Sequence, residues 1–450
     1  MNMNRLLRSC QRLTLPEFNK DQLLECIKKL LLVDERWIPS ERGYSLYLRP
    51  TAIATQESLG VGPSNKAKIF VINCPVGPYY KTGFAAVSLS ATSHYVRAWP
   101  GGTGDAKVGG NYAPGIRPQV EVAQKGYAQN LWLFGEEDYL TEVGTMNLFV
   151  FWKNTEGELE LVTPPLDGTI LPDMNMNRLL RSCQRLTLPE FNKDQLLECI
   201  KKLLLVDERW IPSERGYSLY LRPTAIATQE SLGVGPSNKA KIFVINCPVG
   251  PYYKTGFAAV SLSATSHYVR AWPGGTGDAK VGGNYAPGIR PQVEVAQKGY
   301  AQNLWLFGEE DYLTEVGTMN LFVFWKNTEG ELELVTPPLD GTILPGVTRD
   351  SILSLARTWG EFKVTEKKVT MPQLVEALKE KRVVEMFGAG TAAIVSPIKN
   401  IFYKGTDWAI PLDPKDPSSQ AGALTKKIAD TIMGIQYGEI EHEWSVVVKP

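Results

Sequence analysis

Residues 1–172 recur letter for letter as residues 174–345, with a single residue, Asp173, between the two copies. No other feature constrains the fold so strongly. Whatever one copy can form alone the other can form too, so any difference between them must come from what each is attached to. Only the second copy runs on into a segment that occurs once, Gly346–Pro450. Solenoid proteins repeat short, diverged units of about 20–50 residues, so an identical unit of this length marks a recent or artificial duplication instead. The join at Leu171-Pro172-Asp173 breaks the natural continuation Pro345-Gly346-Val347, and the first copy is expected to be structurally incomplete.

Charge and composition exclude several classes. The 48 basic and 48 acidic residues cancel, and without a Lys/Arg-rich run the electrostatic footprint for nucleic acid is missing. Apolar stretches such as Ile69–Ile72 are far shorter than the ~20 residues a membrane helix needs. The first 30 residues lack a signal-peptide pattern, which points to a cytoplasmic protein, or a mitochondrial one if the true start lies upstream. The six cysteines are three positions, Cys10, Cys26 and Cys74, counted twice, without CxxC spacing and with only three histidines. Neither a disulfide framework nor a metal site is expected.

Periodicity predicts a helix over Asn19–Val33, with Leu23, Leu24, Ile27, Leu30 and Leu31 on one stripe and Asn19 as N-cap. Strands are predicted at Tyr44–Arg49, Lys68–Cys74, Val87–Leu89 and Leu131–Phe134. A helix should end near Gly126, and Met146–Lys153 should pair with Leu159–Val162. In the tail, Ile352, Leu355, Ala356 and Trp359 mark a helix closed by Gly360, and Thr370-Met371-Pro372-Gln373 is a capping box. Phe387–Ala392 reads as a tight glycine turn before a short strand Ala393–Ser396. A last helix carries Leu424, Ile428 and Ile432, and a final strand is expected at Trp444–Val448. The fold class is mixed α/β.

Lys107 and its twin Lys280 lie in Gly-Gly-Thr-Gly-Asp-Ala-Lys-Val-Gly-Gly-Asn-Tyr. Neither GxxxxGK[ST] nor a GxGxxG in a strand-turn-helix frame occurs, so nucleotide binding loses its motif. Such a lysine either faces solvent or forms a Schiff base with a carbonyl cofactor. A phosphorylated pyridine cofactor needs a carboxylate against its ring nitrogen and a donor-rich phosphate cradle. Glu142 and its twin Glu315, set between two strands, could supply the first or be exposed edge residues. Gly346-Val347-Thr348 ahead of a helix could supply the second or be an ordinary N-cap.

Seven ordered blocks together resemble the branched-chain-amino-acid aminotransferases, pyridoxal-phosphate enzymes of fold type IV. They are Asn175–Arg178, Ser218–Pro223, Val269–Trp272, Lys280–Tyr285, Thr314–Asn320, Leu344–Arg349 and Phe387–Ala392. The resemblance implies a two-domain fold, a small α/β domain and a larger pseudo-barrel domain. It implies pyridoxal 5'-phosphate on Lys280, which also moves the substrate Cα proton. Glu315 would face the pyridine nitrogen and Tyr285 the phenolic oxygen, and Arg178, Val347, Thr348 and Thr391 would hold the phosphate. Tyr220 and Arg222 would belong to the small-domain pocket, with Thr318 and Ala392 near the substrate carboxylate. The implied reaction exchanges an amino group between leucine, isoleucine or valine and 2-oxoglutarate. The implied assembly is a homodimer, with small-molecule partners and neither nucleic acid nor membrane.

The implied organisation is a partial small domain at 1–75, a linker at 76–86 and an incomplete large domain at 87–173. A second partial small domain (174–248), a second linker (249–259) and a complete cofactor-binding domain (260–450) follow. Three departures from the family pattern stand out. The chain opens inside the small domain, a CxxC pair found in vertebrate members is replaced by Ala393–Ser396, and the first copy owns Lys107, Tyr112 and Glu142 without its own phosphate cradles. That copy is expected to bind cofactor poorly or not at all. A catalytically impaired product of the same family is the alternative, as is another fold type IV enzyme, of the D-amino-acid aminotransferase or aminodeoxychorismate lyase type.

Overall fold

The computed structural model describes residues 2–164 and 193–445, apart from residues 42–43, 58–61, 78–85, 149, 154–158, 163, 215–216, 230–236, 251–257, 281, 392, 414–415 and 417. Both expected linkers fall largely outside the described residues, as does most of the expected Trp444–Val448 strand; Trp444 and Ser445 themselves are not extended.

The second copy and the tail build one nine-stranded sheet. Strands Tyr312–Val316, Gln302–Phe307, Val260–Thr265, Ile394–Tyr403, Val383–Gly390 and Met319–Lys326 follow one another in that order, and the last pairs back onto the first through Glu315 opposite Asn320. The sheet therefore closes on itself, as the pseudo-barrel expectation requires. Strand Met319–Lys326 shows why its sequence is a nearly unbroken apolar run. Leu321, Val323 and Trp325 enter the core that also holds Leu262, Leu304 and Leu313. The alternate residues Phe322 and Phe324 pack with Ile352, Ala356, Leu424 and Ile428 of the helices Val347–Trp359 and Ala423–Gln436. A strand buried on both faces loses the polar alternation of a one-sided strand.

The tail helices end where local chemistry dictates. Gly360 takes the left-handed conformation at φ 64° and closes Val347–Trp359. Thr370 caps Met371–Lys379 with the reciprocal bonds of a capping box. Asn19 accepts from the amides of Asp21 and Gln22 at 3.0 Å, starting Lys20–Val33 as expected.

One expectation is corrected. Phe387-Gly388-Ala389-Gly390 is not a turn but the end of strand Val383–Gly390, paired antiparallel with a strand that continues to Tyr403. The glycines are there because Met319 packs against them: a Cβ on Gly388 would lie 3.1 Å from the Met319 Cε, and one on Gly390 3.0 Å from its Cγ.

The first copy, with the same sequence and no tail, builds less. Leu89–Thr92, Gln129–Phe134, Tyr139–Val143 and Met146–Asn147 form a four-stranded sheet, and among the described residues Val150–Lys153 pairs only with Leu159–Val162. Trp152 is 53% exposed where its twin Trp325 is 6%, and Leu140 is 42% exposed where Leu313 is 2%. In each copy a hairpin stands apart from the large sheet, Ser45–Ala54 with Ala67–Val76 and Ser218–Ala227 with Ala240–Val249. No helix among the described residues is long and apolar enough to cross a membrane.

Candidate active site

Lys280 sits at the end of a loop that Asn284 holds in shape. The Asn284 amide donates to the carbonyls of Thr276 and Ala279, both at 2.6 Å, and its oxygen accepts from the Thr276 hydroxyl at 2.8 Å. A short helical turn, Gly282–Tyr285, leads directly into helix Ala286–Gln297, which brings Tyr285 back over the lysine. The Lys280 Nζ donates to the Tyr285 hydroxyl at 3.1 Å, 5.7 Å from the ring centroid. Lys280 is exposed, so the amine stands where a ligand can reach it.

Glu315 belongs to strand Tyr312–Val316 rather than to a turn between strands, and it is 2% exposed rather than an edge residue. Its Oε2 pairs with the Arg270 Nε at 3.0 Å, and its Oε1 accepts from the Leu344 amide at 2.7 Å and the Asn320 amide at 3.3 Å. Burial pushes the Glu315 carboxyl above the usual carboxylate range, with Arg270 and the Leu344 amide pulling against it. Arg270 in turn donates to the carbonyls of Gly277 and Thr342 at 2.7 and 2.8 Å. One guanidinium thus ties the lysine loop, the glutamate strand and the entry to the tail together.

Leu344 leads to Gly346, the N-cap of helix Val347–Trp359, where no side chain caps the helix. The first amides of a helix have no intrahelical acceptor and carry the positive end of its dipole, so Val347 and Thr348 present an anion-binding end. Thr391 lies in the turn after Gly390, exposed.

A cavity of about 270 Å³ lies beside Tyr285 and Arg270, and Lys280, Glu315, Val347, Thr348 and Thr391 are not among the described residues that line it. Tyr285, Arg270, Thr318, Trp305 and Leu344 line it, joined by Gly62 of the first copy. Tyr220 and Arg222 stand on the separate hairpin, the Arg222 guanidinium 5.4 Å from the Tyr220 ring centroid, and are not among the described residues that line the cavity. Arg178 and Ala392 lie outside the described residues. The first copy reproduces half the arrangement: Lys107 donates to the Tyr112 hydroxyl at 3.3 Å, and Arg97 pairs with buried Glu142 at 3.3 Å. The segment that forms the helix after Gly346 occurs once in the sequence, behind the second copy. Arg270, Asn284 and Asn320 are site residues that no local motif announces; the signal available was an arginine and two asparagines inside the resemblance blocks Val269–Trp272, Lys280–Tyr285 and Thr314–Asn320.

The second copy and the tail thus bring together a lysine held by a tyrosine, a buried carboxylate and a helix start without a side-chain cap. The family model for amino-transferase class IV matches the chain twice, over residues 1–173 and 172–401, and the chain belongs to that family. The branched-chain-amino-acid aminotransferase of Dictyostelium discoideum is 60% identical over 298 residues, covering 66% of this chain and 75% of that one. The cytosolic branched-chain-amino-acid aminotransferase of Mus musculus is 52% identical over 276 residues, covering 61% and 70%. Among solved structures, the branched-chain amino acid aminotransferase of Escherichia coli aligns at 25% identity with a TM-score of 0.46, covering 60% of this chain and 80% of that one.

Proposed function

We propose that the chain holds pyridoxal phosphate at Lys280 and exchanges the amino group between leucine, isoleucine or valine and 2-oxoglutarate. The observation that carries the reading is that Tyr285, which holds Lys280, and Arg270, which holds Glu315, line one cavity. The residues fit such a group. A carboxylate offers about four acceptor positions, and three donors from the described residues engage Glu315, leaving room for one ring N–H. The cavity volume is near the lower end of small-molecule sites, about 300–1,000 Å³.

When bound, the cofactor withdraws electrons from the substrate and makes its Cα proton acidic. The Lys280 amine would take that proton and return it, oriented by the Tyr285 hydroxyl, which would also face the phenolic oxygen. Glu315, fixed by Arg270 and the Leu344 amide, would hold the proton on the ring nitrogen. The Val347 and Thr348 amides and the Thr348 and Thr391 hydroxyls would hold the phosphate, with Arg178 beside them. Thr318 would meet the substrate carboxylate together with Ala392, and Tyr220 and Arg222 would bound the side-chain pocket. The branched-chain substrate class is supported by the names of relatives that are 52–60% identical. The test is glutamate formation from leucine and 2-oxoglutarate with added cofactor. The unaltered chain should form it and Lys280→Ala should lose at least ~10³-fold; no glutamate from the unaltered, cofactor-loaded chain refutes the reading.

A further inference from the structure

The two copies touch each other through the same residues. Gly110 and Gly283 occupy the same position of the repeat, and they meet back to back. A Cβ on Gly110 would lie 2.6 Å from the Gly283 Cα, and a Cβ on Gly283 would collide with the Gly110 Cα in return. Gly101, at φ +79°, backs onto the His267 carbonyl, where a Cβ would come within 2.6 Å. Its twin Gly274, at φ +74°, backs onto the carbonyl of His94, the twin of His267, at 2.9 Å. Val96 and its twin Val269 share one buried cluster with Trp272, and Trp99, the twin of Trp272, packs against it. When residue i of one unit meets j of the other and j meets i, the contact is isologous and the units are related by a two-fold axis. Here that axis passes between Gly110 and Gly283, where only residues without a side chain let the backbones approach so closely.

We infer that the chain folds as an internal pseudo-dimer, the first copy serving in cis as the second protomer and as one wall of the site in the second copy. Gly62 supplies that wall, facing the same cavity as Tyr285 and Thr318. Arg12, from the first helix of the chain, donates to the Gly102 carbonyl at 3.0 Å and sets its guanidinium 5.8 Å from the centroid of Tyr268 in the second copy. The self-complementary face is thus covered within one chain. Tethering two units gives an effective concentration on the order of millimolar, so at micromolar protein the internal contact outcompetes pairing with another chain. The homodimer that the resemblance implies is replaced by a monomer. Because the tail follows only one copy, the assembly holds one complete site, hence one cofactor per chain. The statement about the cavity wall rests on the aminotransferase reading; the statement about assembly does not.

Three measurements on the full chain test this. Sedimentation equilibrium at micromolar concentration should give the mass of one chain, 49.9 kDa; twice that mass overturns the inference. Gly110→Leu should raise the radius of gyration from X-ray scattering at unchanged mass, because the copies separate; an unchanged radius overturns the two-fold contact. Gly62→Trp tests the wall. A Cβ at Gly62 meets nothing within 4 Å, so the variant should fold normally. It should bind 4-methyl-2-oxopentanoate at least ~10-fold more weakly by calorimetry, with cofactor stoichiometry unchanged, and equal affinity removes the first copy from the site. Should the unaltered chain bind no 2-oxo acid at all, the aminotransferase reading fails, and mass and scattering still decide the assembly.

Discussion

Leu140 and Leu313 are the same residue of the same sequence, and replacing them by alanine should have very different effects. Leu313 is 2% exposed in the core inside the closed sheet, packed among Leu304, Val316 and Met371. Leu140 is 42% exposed, because the tail that brings Val369 and Met371 into the core around Leu313 follows only the second copy. Truncating a buried leucine costs roughly 2–5 kcal/mol, the transfer of its methyl groups plus the cavity left behind. At Leu140 no comparable cavity forms and much of the side chain already meets water, so the cost should be about 1 kcal/mol or less. At about 2–4 °C per kcal/mol for a domain of this size, Leu313→Ala should lower the main thermal transition by roughly 5–15 °C. Leu140→Ala should leave it within about 3 °C. Calorimetry on the two variants reads this directly. Equal shifts would refute the claim that the tail, not the repeat, completes the core.

Three further outcomes follow from the same structure. Arg349 and Arg357 donate to Glu366 at 2.7 and 2.9 Å and hold its carboxyl below the ordinary value of 4.5. Stability from this contact is present above pH 4.5 and lost as pH falls through the lower folded value, so Glu366→Gln should flatten the acid limb of a melting-temperature profile while an unchanged limb counts against the pairing. A Cβ at Gly422 would strike the Glu385 carboxylate, which accepts from the amides of Leu424 and Thr425 at 2.8 and 3.0 Å and so caps the last helix. Gly422→Ala should therefore cost on the order of 1–3 kcal/mol in denaturant titration, and a neutral result would show that the cap can shift freely. Arg270→Met leaves Glu315 buried without its cation and should cost about 3–5 kcal/mol, partly restored by Arg270→Lys; a Met variant as stable as the parent would mean that the pair does not anchor the site.

The helices were readable because their signals are local: Asn19, the Thr370–Gln373 box and Gly360 each act within a few residues. The glycine segment at 387–390 misled because the reason for the glycines, Met319, is distant in the chain. Arg270 escaped for the same cause, since nothing near it in sequence announces a carboxylate on another strand. Lys280, Tyr285 and Glu315 emerged from their blocks, yet local pattern could not tell that Glu315 is buried rather than exposed at an edge. The repeat makes the limit plain. Trp152 and Trp325 have identical neighbours over the whole repeat, and their burial differs because the tail supplies its sheet partners to only one of them.

The most direct test of the site is to load the chain with pyridoxal phosphate, reduce with borohydride and map the modified lysine by mass spectrometry. Peptides from the two copies share one sequence, so Lys280→Ala and Lys107→Ala must assign the label. The expected result is labelling that survives Lys107→Ala and disappears in Lys280→Ala. Labelling that follows Lys107, or an unlabelled parent chain, would contradict a cofactor site built from the second copy and the tail.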